Sequence, residues 1–375
     1  MNQKFYEMSK EQRLEYLRKV AGVEEDIETM LRPLEFEDAN KMVENAIGIM
    51  SVPMGIATNF VINGREFLIP MAIEEPSVIA AASKAAKIAK VKGGFTAEAD
   101  DSLMIGQVQV IGVGMKSSMQ KVMKNKKRLL EIANSKSRFV TAIDLKVRQV
   151  RDSSPNKMGS MLIVELVVDT KDAMGANAIN TMCEAIAPKV AEITGGEVVL
   201  KILSNYSTKR MVRCRAVFDK VELGGSEIVR RILYAYALAH SDVYRAVTHN
   251  KGIMNGIDAV ALATGQDFRA IEAGAHAYAA RDGTYRSLTR WRRTREGDLA
   301  GEIELPLAVG IVGGVVNSHP TAKLALQILG VKRAKELAMI MAAAGLAQNL
   351  AAIRALAAEG IQAGHMRLHN RKFSK

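Results

Sequence analysis

Cysteine, aromatic residues and long apolar runs are all scarce in this 375-residue chain, and each scarcity excludes a class of protein. Only Cys183 and Cys214 occur, in unrelated contexts and without metal-ligand spacing, which leaves neither a disulfide framework nor a zinc site. Reduced thiols and no metal are the expectation. Aromatic residues make up 5% of the chain, so the interleaved stacking residues of a single-strand nucleic-acid groove are missing. The longest apolar runs, 305–316 and 337–347, fall short of the roughly 20 residues that a membrane-spanning helix needs. The opening Met1-Asn-Gln-Lys-Phe-Tyr lacks the apolar core of a signal peptide. A cytoplasmic protein without a membrane partner is expected.

What is present is an ordinary globular composition, 48% apolar and 25% charged, with length enough for two or three domains. The formal net charge of +12 favours polyanionic partners: nucleic acid, acidic lipid or phosphate-rich cofactors. Lysines cluster at Lys84, Lys87, Lys90 and Lys92 and again over 116–128, and arginines over 290–295. No helix-turn-helix or zinc-finger pattern accompanies them, so no nucleic-acid partner is expected, and solvated helix faces or small phosphate-bearing molecules remain.

Along the chain, Ser9-Lys-Glu-Gln12 is a capping-box pattern opening an amphipathic helix that Gly22 can end. The segment 49–73 alternates apolar runs with Gly and Pro and contains Asn63-Gly64, a hairpin turn. A helix over 78–90 follows Pro76 and stops at Gly93-Gly94, which puts Glu75 at a strand-to-helix corner. From about 103 the pattern reads strand 107–113, basic helix 117–135, strands 142–150 and 161–169, helix 176–193, then strands 198–203 and 210–218. That is the ferredoxin-like order with one strand to spare. The rest is mostly helical, interrupted by the strand-like 302–316. The fold class expected is α+β: a large mixed helix/strand domain formed by 1–103 and 219–375, with an inserted ferredoxin-like, non-Rossmann nucleotide-binding domain at 104–218.

Chemistry is suggested where polar residues stand in apolar, Gly-rich sequence. Thr248-His-Asn-Lys-Gly-Ile-Met-Asn-Gly256 sets Lys251 among few polar neighbours, where a cation requires a carboxylate partner; Asp258 and Asp267 are near in sequence. The same oddity recurs in Glu44-Asn-Ala-Ile-Gly48, Ile73-Glu-Glu-Pro-Ser77, Asp172-Ala-Met-Gly-Ala-Asn177, Ala263-Thr-Gly-Gln-Asp267, Gly310-Ile-Val-Gly-Gly314 and Gly364-His-Met366. Seven such motifs, in this order, resemble hydroxymethylglutaryl-CoA reductase, and most closely its class II prokaryotic form.

The resemblance implies two hydride transfers that reduce the thioester of hydroxymethylglutaryl-CoA (HMG-CoA) to mevalonate and free coenzyme A, or the reverse oxidation. It assigns Lys251 to the growing oxyanion, Glu75 to proton delivery and His365 to protonation of the departing thiolate. Asp267, a like charge beside Glu75, would favour its protonated form while holding Lys251 cationic, so the three form a coupled group. Ser77, Arg245, Asn255, Asn205 and Gln348 match substrate-binding positions. Asp172, Met174, Gly175 and Asn177 match the nicotinamide-nucleotide motif, which is not a GxGxxG fingerprint. In 130–138 Ser137 stands where NAD-using members carry an acid, and Lys136 and Arg138 flank it; NADPH is therefore expected over NADH. His240, His249, His276 and His319 have structural readings, and His369 is not read as a metal partner of His365.

The family is dimeric, with Glu44-Asn-Ala-Ile-Gly48 at the interface, so an obligate homodimer is expected. The chain ends shortly after His365, so the small closing flap of the family is expected to be missing or greatly reduced after about 366. The rival from another class is a basic α+β nucleic-acid-binding protein, which salt-dependent binding without CoA-dependent NADPH oxidation would favour.

Overall fold

A computed structural model describes residues 4–23 and 26–358. The capping box forms: Ser9 accepts the Gln12 N–H, and the Gln12 side chain accepts the Ser9 N–H. It opens α1 (Lys10–Ala21), which Gly22 ends in the left-handed region at φ 61°. Two short helices follow, α2 (Ile27–Met30) and α3 (Phe36–Met42). Leu14, Leu17, Ile27 and Met30 seat this N-terminal part on Leu324 and Ile328. The strands β1 (Met54–Ile62) and β2 (Arg65–Ala72) then form the expected hairpin. Its turn residues Asn63 and Gly64 take φ 50° and 80°, the paired left-handed conformation of a type I′ turn. Helix α4 (Val78–Lys90) and strand β3 (Phe95–Ala99) complete this stretch.

The inserted unit comprises β4 (Leu103–Ile111), α5 (Met115–Lys124), α6 (Lys126–Asn134), β5 (Thr141–Arg151), β6 (Ser160–Asp169), α7 (Ala176–Thr194) and β7 (Glu197–Ser204). Its strands lie antiparallel in the order β5-β6-β4-β7, the ferredoxin-like arrangement. It has its own core, in which Leu129, Leu145, Leu166, Ile179 and Ile186 are fully buried. The basic helix expected over 117–135 is two helices. They break at Asn125, whose side-chain amide donates to the Lys121 carbonyl.

The spare strand has a different home. The strand β8 (Met211–Phe218) leaves the inserted unit and pairs antiparallel with β3 on one side and β10 (Leu299–Pro306) on the other. Its alternating Val212, Cys214, Ala216 and Phe218 are buried in the large core, so the ferredoxin-like sheet ends at β7. A strand not expected from the sequence, β9 (Thr289–Arg293), buries Thr289 and Trp291 and exposes Arg290, Arg292 and Arg293. An arginine cluster there is one face of an edge strand, a charged edge that discourages further strand pairing. The six-stranded sheet runs β2-β1-β3-β8-β10-β9.

Helices α8 (Lys220–Leu223), α9 (Ser226–Ser241), α10 (Val243–Ala263), α11 (Phe268–Ala279), α12 (Val315–Ser318), α13 (Pro320–Leu329) and α14 (Ala334–Ala357) fill out the large domain. By length and composition α14 could cross a membrane, but 78% of its most apolar stretch is buried inside the fold, so it is the core helix. It meets α10 through glycine. A Cβ on Gly256 would lie 2.7 Å from the Ala344 carbonyl oxygen, and one on Gly345 would lie 2.9 Å from Ile257. This close approach fixes α10, and α10 carries the site.

Candidate active site

Asp242 caps α10 by accepting the Arg245 N–H at 2.7 Å. Lys251 and Asn255 stand one turn apart on this helix and so share a face. Lys251 Nζ reaches Glu75 Oε2 at 2.8 Å, and Asn255 Nδ2 lies 3.4 Å from the same oxygen. The carboxylate that Lys251 requires is thus Glu75, 176 residues away in sequence. The pair is not deeply buried: the Lys251 side chain is 61% exposed and that of Glu75 33%. The apolar residues around Lys251 in sequence face the α14 side of the helix instead.

Glu75 is held by the corner that precedes α4. Ser77 occupies the N-cap in the left-handed region (φ 79°), and its hydroxyl oxygen is buried without a partner among the described residues. Gln348, on α14, is 6% exposed with a side-chain carbonyl oxygen that is likewise unpartnered. Arg245 is partly buried, which lowers its pKa from the ordinary value. Asn205 follows β7 on the surface; its carbonyl accepts the Ser207 N–H, and no contact ties its side chain to the Lys251 pair among the described residues.

The second component is a cleft of about 930 Å³ where the inserted unit meets the large domain. Met174, Gly175 and Asn177 line one wall, Gly310 and Gly313 another, and Gln266 and Asp267 the floor. The two glycine-rich motifs touch directly: Ile311 N–H donates to the Asp172 carbonyl, and Ala173 bridges Val312. Gln266, which the sequence reading did not single out, clamps Gly310 by accepting its N–H at 2.8 Å and donating to its carbonyl at 2.9 Å. Gly175 starts α7 at φ 94°, where a Cβ would lie 2.4 Å from Thr170. Among the described residues no side chain caps that helix end, and Gly175 to Ala178 line the cleft, a setting suited to an anion.

Other expected residues have different surroundings. The Asp267 carboxylate caps α11, accepting the Ala270 N–H at 3.1 Å, and lies 3.6 Å from Arg269. No hydrogen bond or ion pair joins it to Glu75 or Lys251 among the described residues, so within one chain the contacts supply a pair where a coupled triad was expected. Asp172 directs its carboxylate to the start of α14, accepting from Ala334 N–H at 2.9 Å and Arg333 at 3.2 Å. It anchors the cleft's wall from behind. Lys136, Ser137 and Arg138 form the loop between α6 and β5. Ser137 accepts the Phe139 and Val140 N–H groups, and Lys136 and Arg138 are exposed. His365 and the chain after about 366 lie outside the described residues.

Of the histidines, His249 is 1% exposed and bonds Thr289 at 2.7 Å; burial, and then Arg245, push its pKa down to about 3. His276 is bound between Tyr285 and Glu272. His319, set aside as structural, lines the cleft, and nothing in its local sequence signals that. Among the described residues no cluster of His, Cys, Asp and Glu could hold a metal ion.

A cleft lined from both the inserted unit and the large domain, with Lys251 of α10 paired to Glu75 from the corner before α4, is an arrangement suited to an enzyme that handles a nucleotide. Residues 9–370 match the family model described as hydroxymethylglutaryl-coenzyme A reductase. The chain is 51% identical to the 3-hydroxy-3-methylglutaryl-coenzyme A reductase of Archaeoglobus fulgidus, over 99% of this chain and 86% of that one. It is 36% identical to a probable enzyme of that name from Borreliella burgdorferi, over 98% and 87%. A class II reductase from Streptococcus pneumoniae, solved with NADPH bound in open conformations, superposes with a TM-score of 0.88 at 41% identity, covering 94% of this chain and 98% of that one. The chain belongs to the hydroxymethylglutaryl-CoA reductase family, a family of oxidoreductases.

Proposed function

We propose that this enzyme reduces the thioester of HMG-CoA to mevalonate and coenzyme A, using NADPH in two successive steps. The observation that carries the assignment is the Lys251–Glu75–Asn255 cluster, assembled from two distant motifs in a fold that also holds a nucleotide-sized cleft. An ammonium has three donors. One is given to Glu75, which leaves two for a carbonyl oxygen that becomes negative as it is reduced. Glu75 is the group from which a proton reaches that oxygen, and Asn255, donating to Oε2, orients the carboxyl. The unpartnered Ser77 and Gln348 oxygens, with the Arg245 guanidinium, suit the polar end of the substrate.

NADPH would supply the hydride. The residues lining the cleft fit its pyrophosphate at the start of α7, Gly175–Ala178; Lys136 and Arg138, exposed on the loop before β5 and outside that lining, we assign to the 2′-phosphate on the family resemblance. We assign the thiolate proton to His365 and a tuning role to Asp267, both on the family resemblance. We assign the homodimer on the family resemblance, which puts 44–48 at the interface; Ile47 and Met50, within and just after that segment, are exposed. Two free, buried cysteines accord with a cytoplasmic setting. The test is HMG-CoA-dependent oxidation of NADPH and NADH, with Lys251→Ala as control. Turnover should fall at least about a hundredfold in that variant, the usual scale for removing an oxyanion partner. Activity with neither nucleotide in the unaltered enzyme overturns the assignment.

A further inference from the structure

Arg210 is 4% exposed, one of the few buried charges in the molecule, and no carboxylate is in hydrogen-bonding contact with it among the described residues. Its partners are neutral oxygens from two separate segments, 170–173 and Val309. Nη1 donates to Thr170 Oγ at 3.0 Å and to the Ala173 carbonyl at 3.2 Å, and Nη2 donates to the Val309 carbonyl. Thr170 in turn is bonded to the Ser102 carbonyl, and the Arg210 carbonyl accepts the Leu307 N–H. A guanidinium taken from water costs several kcal/mol unless its donors are met, so a fork placed here needs a purpose. Burial lowers its pKa to about 10, which leaves it a cation at neutral pH, and Asp172 and Asp169 act on it only through space.

The acceptors identify the purpose. Ala173 and Met174 line one wall of the cleft, and Val309 precedes Gly310 in the other. Arg210 itself stands at the entry to β8, where the chain passes from the inserted unit to the large sheet. We propose that Arg210 is a positioning residue for the nicotinamide nucleotide: its guanidinium fork pins the two glycine-rich walls of the cleft at the spacing the nucleotide requires. The inference rests on the reading of that cleft as the nucleotide site.

The experiment measures HMG-CoA-dependent NADPH oxidation, the KM for each substrate, and thermal unfolding for the unaltered enzyme, Arg210→Met and Arg210→Lys. Arg210→Met should raise the KM for NADPH at least tenfold while the KM for HMG-CoA stays within about twofold. Arg210→Lys, which keeps the charge and loses the fork, should fall between the two. Should Arg210→Met fail to fold, Thr170→Val removes one of the fork's three acceptors, together with the hydroxyl's bond to the Ser102 carbonyl, and should raise the NADPH KM severalfold without moving that for HMG-CoA. A loss of thermal stability with both KM values unchanged makes Arg210 merely structural and overturns the proposal. An unaltered enzyme that oxidises neither NADPH nor NADH overturns the reading of the cleft instead.

Discussion

Gly310→Ala probes the junction on which the cleft depends. A Cβ at this position would lie 2.5 Å from the backbone nitrogen of Met174, 3.0 Å from the Ala173 carbonyl carbon and 3.2 Å from Ala173 Cα. Carbon prefers non-bonded neighbours at about 3.5 Å or more, so the two motifs must part by about 1 Å. Every atom it meets is backbone, and no rotamer change relieves the clash. Overpacking of this kind costs about 1–3 kcal/mol. The Ile311 N–H to Asp172 bond and the double clamp from Gln266 sit on the same stretch, and losing one of them adds about 1 kcal/mol. The sum is about 2–4 kcal/mol, concentrated where Met174 and Gly175 face Gly310. If half of it appears as lost organisation of the site, the KM for NADPH rises about tenfold, since about 1.4 kcal/mol is a factor of ten. The assay is NADPH oxidation at saturating HMG-CoA, alongside a thermal melt. Gly252→Ala is the control: its Cβ would meet only Ala352 at 3.7 Å, an ordinary contact, inside the helix that carries Lys251. A Gly310→Ala enzyme with an unchanged NADPH KM and an unchanged melting temperature would refute the argument.

Replacing Lys136 and Arg138 together with glutamate should move the preference from NADPH toward NADH by tenfold or more in kcat/KM; an unchanged ratio removes these residues from the nucleotide's 2′ end. Asp258 is pushed up to about 8 by burial and by its hydrogen bond to Glu272 on α11, so the folded chain holds a proton there that the unfolded chain releases near 4. Its stabilising effect is therefore complete below about pH 4 and is lost as pH rises to about 8, and denaturant titrations of Asp258→Asn should show a flatter decline over that window. His249 behaves in the opposite sense: with its pKa depressed to about 3, stability is lost as pH falls from about 6.5 toward 3. A His249→Gln variant that keeps the full acid slope would assign that slope to other groups.

Local structure was legible in the sequence wherever a few neighbouring residues decide it. The Ser9–Gln12 box, the Asn63-Gly64 turn and the βαββαβ order of the inserted unit each depend on residues close in sequence or on periodicity, and each is present in the fold. The allocation of β8 was not legible, because an alternating strand carries no mark of the sheet it will join. Only the pairing partners β3 and β10, about 100 residues apart on either side, settle it. The arginines of β9 hid a strand for a related reason: charge dominates the composition of five residues whose two buried positions are Thr289 and Trp291.

The same distinction runs through the site. Motif residue types identified Lys251 and Glu75, but the 2.8 Å contact depends on how α10 meets the corner before α4, and that is fixed by glycine-mediated packing on α14. Residue type alone marks neither Gln266, although it lies inside the Ala263–Asp267 motif, nor Arg210. Their importance lies in the oxygens and N–H groups they reach across the fold, on segments 37 to 99 residues distant. Residues that touch substrate can be matched as side-chain types, whereas residues that hold two backbones at a fixed spacing are defined by geometry alone. The second kind governs whether the first is correctly placed. Gly310 is a case where both views meet: the sequence marks it as part of a motif, and the structure supplies the reason, a contact with Met174 too close for any side chain.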